Sequence, residues 1–258
     1  MATEKLTIIV KIGGRAATDS ALKDLAGDIK GLKDKFRFLL VHGGGAEVSR
    51  VSRVFGLEPV FKDGVRQTSP AEMDIVDMVL AGKMNKALVR MFMESGVPAV
   101  GLSGSDGGFF TGESIDPAAD NRTGRITKVD PTAALLLAGA GYIPVIASTS
   151  MDLGGRALNI NADEAAFEIA RAIKAGVLVY LSDISGILKD GKTIARINAG
   201  EAEKEIAAGV ITGGMIPKVR SALEALKSGV GSVVIGEFTR KGDLDRLFRY
   251  ETGTTIER

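Results

Sequence analysis

LLVHGGGAEVSR, residues 39–50, passes from an apolar run through one histidine and three glycines into a helical pattern. A strand that ends in a glycine turn and opens a helix is the repeating step of an α/β fold, and the backbone N–H groups at such a turn can face an anion. HGGG taken by itself fits two chemistries: a cradle for a phosphoryl group, or the oxyanion hole of a serine hydrolase.

The same step recurs on both sides of it. LTIIVKIGG (6–14) reads as a strand closing on a glycine turn, followed by a helix over 16–35 with Asp19 or Ser20 near its cap. FRFLLV (36–41) is the strand that leads into HGGG, and residues 46–55 form a short helix. A hinge containing GVRQTS (64–69) comes before SPAE (69–72), a strong helix start: Ser69 as cap, Pro70 in the first turn, Glu72 three residues on. That helix is predicted to run to about Glu94. VPAVGLSGSDGG (97–108) is a strand with a second glycine loop, residues 109–129 a hairpin excursion, and DPTAALLLAGAG a helix with Asp130 as cap. YIPVIAST (142–149), VLVYLSD (177–183) and GSVVIG (231–236) are strands; RALNINADEAAFEIARAI (156–173) passes from a short strand into a helix, and further helices follow at 201–208, after TGGMIPK, and at 241–248. At least five apolar strands, each followed by a helix, predict an α/β fold: a mainly parallel open sheet covered on both faces, with ligands at the carboxyl ends of its strands. The pattern fits one domain of two lobes dividing near residues 170–180.

Bulk composition narrows the function. The 258 residues carry 33 Lys plus Arg against 32 Asp plus Glu, a balance that gives no reason to expect nucleic acid or an anionic membrane as partner. Cysteine is absent, which excludes thiolate catalysis, disulfides and Cys-ligated zinc. The apolar run Leu6–Val10 is too short for a signal peptide or a membrane span, so a cytoplasmic location is expected.

The motifs then decide between the two chemistries. A hydrolase needs G-x-S-x-G and a histidine after its nucleophile; GLSGS (101–105) lacks the last glycine, and His42 is the chain's single histidine and precedes it. Neither the G-x-G-x-x-G dinucleotide spacing nor G-x-x-x-x-G-K-[ST] occurs. A phosphate cradle of another design remains. Lys11 ends the first strand beside Gly13 and Gly14, and Gly43–Gly45 end the second. A lysine at the end of a buried strand needs a partner or a ligand for its charge. ALNINADEAA (157–166) opens a helix with two asparagines and an aspartate, of which capping by Asn161 or Asp163 uses one. In TGGMIPKVRSA (212–222), Lys218 stands in a helix's first turn, where the dipole disfavours a cation unless an anion is bound nearby.

Nine ordered segments carry a resemblance that covers Val10 to about Ile256: VKIGG, LVHGGG, GVRQT, AGKMNK (81–86), VGLSGSDG, LNINADEAA, YLSDISGIL, GGMIPKV and GTTI (253–256). In them the chain resembles the amino acid kinase family, and within it the branch that acts on N-acetyl-L-glutamate. The resemblance implies a carbamate kinase-like three-layer α/β/α sandwich, with residues 1–175 as amino-acid and dimerisation lobe and 176–258 as ATP lobe. It implies phosphorylation of the side-chain carboxylate of N-acetyl-L-glutamate by ATP with Mg2+, the second step of arginine biosynthesis. Lys11 and Lys218 would stabilise the transferring phosphoryl group and Asp163 would hold both lysines. Gly44 and Gly45 would supply N–H groups, and Arg66 and Asn159 would grip the substrate α-carboxylate. Gly14, Asp183, Gly213, Gly214, Met215 and Lys218 would serve the nucleotide, with no metal ligand taken directly from the chain. A departure bears on the acceptor: DNRTGRITKV (120–129) carries Arg122, Arg125 and Lys128 where the branch is more apolar. Kinases acting on a carrier-linked aminoadipate or glutamate, or on another N-acylglutamate, are the alternatives, and a nucleotide-binding regulator is the non-enzymatic one. The arginine-inhibited members have a helix before the first strand; with about five residues ahead of Leu6, the expectation is an arginine-insensitive homodimer joined through the 70–94 helix and its neighbouring strands.

Overall fold

A computed structural model describes residues 5–13, 18–62 and 64–258. Its strands, in chain order, are β1 Leu6–Ile12, β2 Phe36–His42, β3 Val60–Lys62, β4 Val65–Gln67, β5 Ala99–Leu102, β6 Phe110–Ser114, β7 Thr123–Val129, β8 Ile143–Ala147, β9 Thr149–Met151, β10 Ala157–Ile160, β11 Val177–Ser182, β12 Leu188–Lys189, β13 Lys192–Thr193, β14 Arg196–Asn198, β15 Ser232–Glu237 and β16 Thr254–Glu257. The α-helices are α1 Asp19–Leu32, α2 Gly45–Val54, α3 Pro70–Asp77, α4 Asn85–Glu94, α5 Thr132–Gly139, α6 Ala162–Ala172, α7 Ala199–Ala207, α8 Met215–Lys227 and α9 Asp243–Phe248.

The chain forms two compact units. The first takes in the chain up to Phe38, Ser95–Val97 and Ala170–Arg258. Here β1, β11 and β15 run parallel, as apolar strands separated by helices must. β16 then adds antiparallel to β15, and β14 pairs parallel with β16. Ile8, Ile9 and Val10 of β1 and Leu178 and Val179 of β11 are wholly buried, the burial of strands covered on both faces.

The second unit is Leu39–Glu94 with Pro98–Ile169. β2 and β5 flank β8 in parallel, and every residue of β8 is buried. The excursion expected at 109–129 is the antiparallel pair β6–β7, which closes with β9 and β10 into a small four-stranded barrel. The stretch read as a hinge is instead an antiparallel hairpin, β3–β4. Val48 of α2 packs with Met73, Ile75, Val76, Val79 and Leu80, so the helix after HGGG is fixed to the helix after SPAE.

Helix starts follow local chemistry with three adjustments. Thr18, not Asp19 or Ser20, caps α1, its hydroxyl accepting from Ala21 N. Asp130 stands one residue before the cap position of α5 and still accepts from Thr132 N at 3.1 Å. The single helix expected from 70 to 94 does run the whole way, but Met78–Met84 is π-helical, a widened turn of the kind often found at functional sites.

Candidate active site

Two helices carry the glycine motifs at their starts. Thr18, Ser69 and Asn198 cap α1, α3 and α7 with side-chain oxygens. α2 and α8 begin at Gly44 and Gly214, which offer no side chain to the first-turn N–H groups. A glycine start leaves those donors available to an anion, which the helix terminus also favours. α8 has no acid in its first turn, and the half-buried Lys218 is its fourth residue. Gly213, with φ of 55°, makes the turn into it and Met215 is its first residue.

In the second unit the glycine loop is closely packed. A Cβ on Gly44 would overlap the Met84 sulfur and a methyl of Leu80, so only glycine lets the π-helical turn approach the loop. His42 is 2% exposed. Its Nδ1 lies 3.0 Å from Gly43 O and its Nε2 3.1 Å from Asn85 Nδ2. Burial pushes the imidazole down to about 4, with Lys86 adding to the shift and the Gly43 carbonyl opposing it. The unfolded chain takes up this proton near pH 6.5, the folded one only near 4. Stability from His42 is therefore fully present above 6.5 and falls as pH drops from there to about 4, by up to about 1.4 kcal/mol per pH unit. His42→Gln should flatten that part of the curve of melting temperature against pH; unchanged curvature would contradict a neutral buried imidazole.

Arg66, on β4, is 8% exposed and makes three side-chain hydrogen bonds. Its Nη1 donates to Glu72 Oε1 at 2.6 Å, and its Nη2 to Gly45 O at 2.9 Å and Ser49 Oγ at 2.6 Å. The ring of Phe61 lies under the guanidinium, 4.8 Å from its carbon. Glu72 is itself buried and accepts a further hydrogen bond from Ser52 Oγ. Sequence reasoning read Glu72 as half of a capping box; Ser69 does cap its N–H, but the carboxylate holds Arg66.

Asn159 joins the same region. Its Nδ2 donates to Thr68 Oγ1 at 2.9 Å, and its backbone N–H to Arg122 O at 2.8 Å. Thr123 Oγ1 donates to Arg66 O, and Asn121 Oδ1 accepts from Thr68 N and Thr123 N. Gly45, Arg66 and Asn159 thus belong to one polar network, with Ser49, Thr68, Glu72, Asn121 and Thr123 as members that the motifs did not reveal. Asn161 is the cap of α6, its Oδ1 accepting from Asp163 N and Glu164 N, so the Asp163 carboxylate is not consumed in capping.

In the first unit Lys11 is half-buried on β1, in register with Tyr180. The lysine ammonium lies where a Cβ on Gly13 would stand, so this glycine makes its room. Asp183 is exposed, directly after β11. Gly14 lies outside the described residues.

A model of the "Amino acid kinase family" matches residues 6–237. An acetylglutamate kinase of Nostoc punctiforme is 44% identical over 230 residues, 87% of this chain and 77% of that protein. One of Rubrobacter xylanophilus is 36% identical over 250 residues, covering 97% and 96%. Among solved structures, N-acetylglutamate synthase from Neisseria gonorrhoeae in complex with coenzyme A and N-acetyl-glutamate superposes with a TM-score of 0.83 at 27% identity, over 98% of this chain and 59% of that one. With a family model spanning nearly all of it and relatives of this similarity along most of its length, the chain belongs to the amino acid kinase family.

Proposed function

We propose that this protein transfers the γ-phosphoryl group of ATP to the side-chain carboxylate of N-acetyl-L-glutamate, giving N-acetyl-L-glutamyl 5-phosphate and ADP as a step of arginine biosynthesis. The observation that carries the reading is the buried Arg66, clamped by Glu72, Gly45 O and Ser49 beside Asn159. A guanidinium fixed in this way suits the planar α-carboxylate of an amino acid. The resemblance to acetylglutamate kinases supports the same substrate.

A carboxylate oxygen attacks the γ-phosphorus as the bond to the bridging oxygen breaks, and that electron pair leaves on ADP. The nucleophile is already ionised at neutral pH, so no proton moves and no general base is needed. What the reaction demands is relief of repulsion between carboxylate and polyphosphate, and an in-line approach. Lys11 and Lys218 offset the phosphoryl charge, Asp163 keeps the lysines oriented and charged, and the N–H groups of Gly44 and Gly45 take the acceptor end. Asp183, Gly213, Gly214, Met215 and Gly14 serve the nucleotide, bound mainly by the chain beyond about residue 176, with the amino acid held before about residue 175. Mg2+ comes as part of the substrate, on the ATP phosphates. No cluster of three acidic, His or Cys side chains fit for a metal occurs among the described residues. None of the helices described is long and apolar enough to cross a membrane, in keeping with a cytoplasmic enzyme. A homodimer joined through the 70–94 helix would cover Met78 and Met93, both 53% exposed along it.

A free acceptor is favoured over a carrier-linked one by the basic excursion. Arg125 pairs with Glu113 and Arg122 with Asp120, so both arginines are neutralised within their own hairpin. A panel of N-acetylglutamate, N-succinylglutamate, a carrier conjugate, glutamate and aspartate with ATP and Mg2+, read as ADP release, tests the assignment. N-acetylglutamate should give the highest kcat/KM, by at least about tenfold, the discrimination one differing group supplies. ATP binding without turnover on any acylglutamate would refute the enzyme reading.

A further inference from the structure

The AGKMNK stretch, residues 81–86, takes no part in the chemistry above, yet it touches the glycine loop twice. Met84 fills the space beside Gly44, and Asn85 reaches His42. Asn85 is wholly buried and its amide can face only one way. Nδ2 donates to Val145 O at 2.8 Å, with Leu102 O at 3.4 Å, while Oδ1 accepts from Lys86 Nζ at 3.0 Å. Turned over, the amide would set its oxygen against the Val145 carbonyl. Gly101 makes this seat possible, because a Cβ there would overlap Asn85 Oδ1. With an N–H of Asn85 directed at it, His42 Nε2 must accept. The ring proton then sits on Nδ1 and is donated to Gly43 O.

Gly43 O and the Gly44 N–H belong to one planar trans peptide and point in opposite directions. We infer that Asn85 and His42 form a positioning relay that aims the Gly44 N–H at the transferring phosphoryl group. This deepens the functional reading above and rests on it. A conserved shape without the donor would leave the loop packed but unaimed.

Nitrogen-15 spectra of the intact protein read the relay without any turnover, since His42 is the chain's single histidine. At neutral pH the imidazole should be wholly the Nδ1–H form; an Nε2–H form overturns the inference. In Asn85→Asp, which keeps the shape and reverses the donor, the Nε2–H signal should appear, and an unchanged ring would equally overturn it. His42→Phe should lower kcat about thirtyfold with the KM of N-acetylglutamate within about threefold, and His42→Asn, which restores a donor toward Gly43 O, should recover most of that loss. A folded His42→Phe with parental kcat overturns the aiming role. If the parent phosphorylates no acylglutamate, the functional reading fails by itself, while the tautomer still decides the relay.

Discussion

Lys11→Ala and Lys218→Ala should each lose about a thousandfold in kcat, with folding intact, in assays of ADP release with N-acetylglutamate. Neither lysine contributes to the core: Lys11 is a half-buried side chain at the end of β1, and Lys218 sits half-buried near the start of α8. The loss should therefore fall on the chemical step. Charge that develops on oxygens of the transferring group would be met by these two ammonium groups together with the Mg2+ that arrives on ATP. Lys218 also stands at an unfavourable end of its helix, a placement that an anionic ligand turns into an advantage. Gly13→Ala should partly imitate Lys11→Ala, because the new methyl would stand 2.5 Å from the ammonium and push it aside. A folded Lys218→Ala retaining more than about a tenth of parental kcat would remove it from the mechanism.

Arg66→Ala should fail in two separable ways. The KM of N-acetylglutamate should rise about a hundredfold, the loss of a charged fork on a carboxylate. The protein should also lose about 3 kcal/mol of stability, because Glu72 stays buried with its carboxylate unpaired. Adding Glu72→Gln to Arg66→Ala removes the stranded charge. Stability should then recover while KM stays high. Recovery of KM together with stability would mean that Arg66 only supports the fold, and the α-carboxylate must be bound elsewhere.

The alternation of apolar strands with helices was legible because each element carries its own period and punctuation: SPAE starts a helix wherever it lies, and YIPVIAST is buried in any covered sheet. Pairings between distant segments were not. Nothing local shows that β16 runs antiparallel beside β15, that β6, β7, β9 and β10 close a barrel, or that β3 pairs antiparallel with β4. The site divides in the same way. Asn159 and the glycines stand out as residue types at strand ends and Arg66 only through the family resemblance, whereas Glu72 looks like an ordinary helix-start acid until Arg66 is placed against it. Asn85 and His42 lie 43 positions apart, and only the fold makes them partners. The π-helical turn has no sequence signature that propensity reveals.

The division of the chain into units also orders its synthesis. The second unit is complete once Ile169 has been made. The first unit is not, because β1 pairs with β11 and β11 with β15, all of which follow in translation. Ile8, Ile9 and Val10 thus leave the ribosome before β11 and are covered on that edge only once it has been made. This apolar edge stays uncovered on the nascent chain while the whole inserted unit is made, an interval of exposure to aggregation.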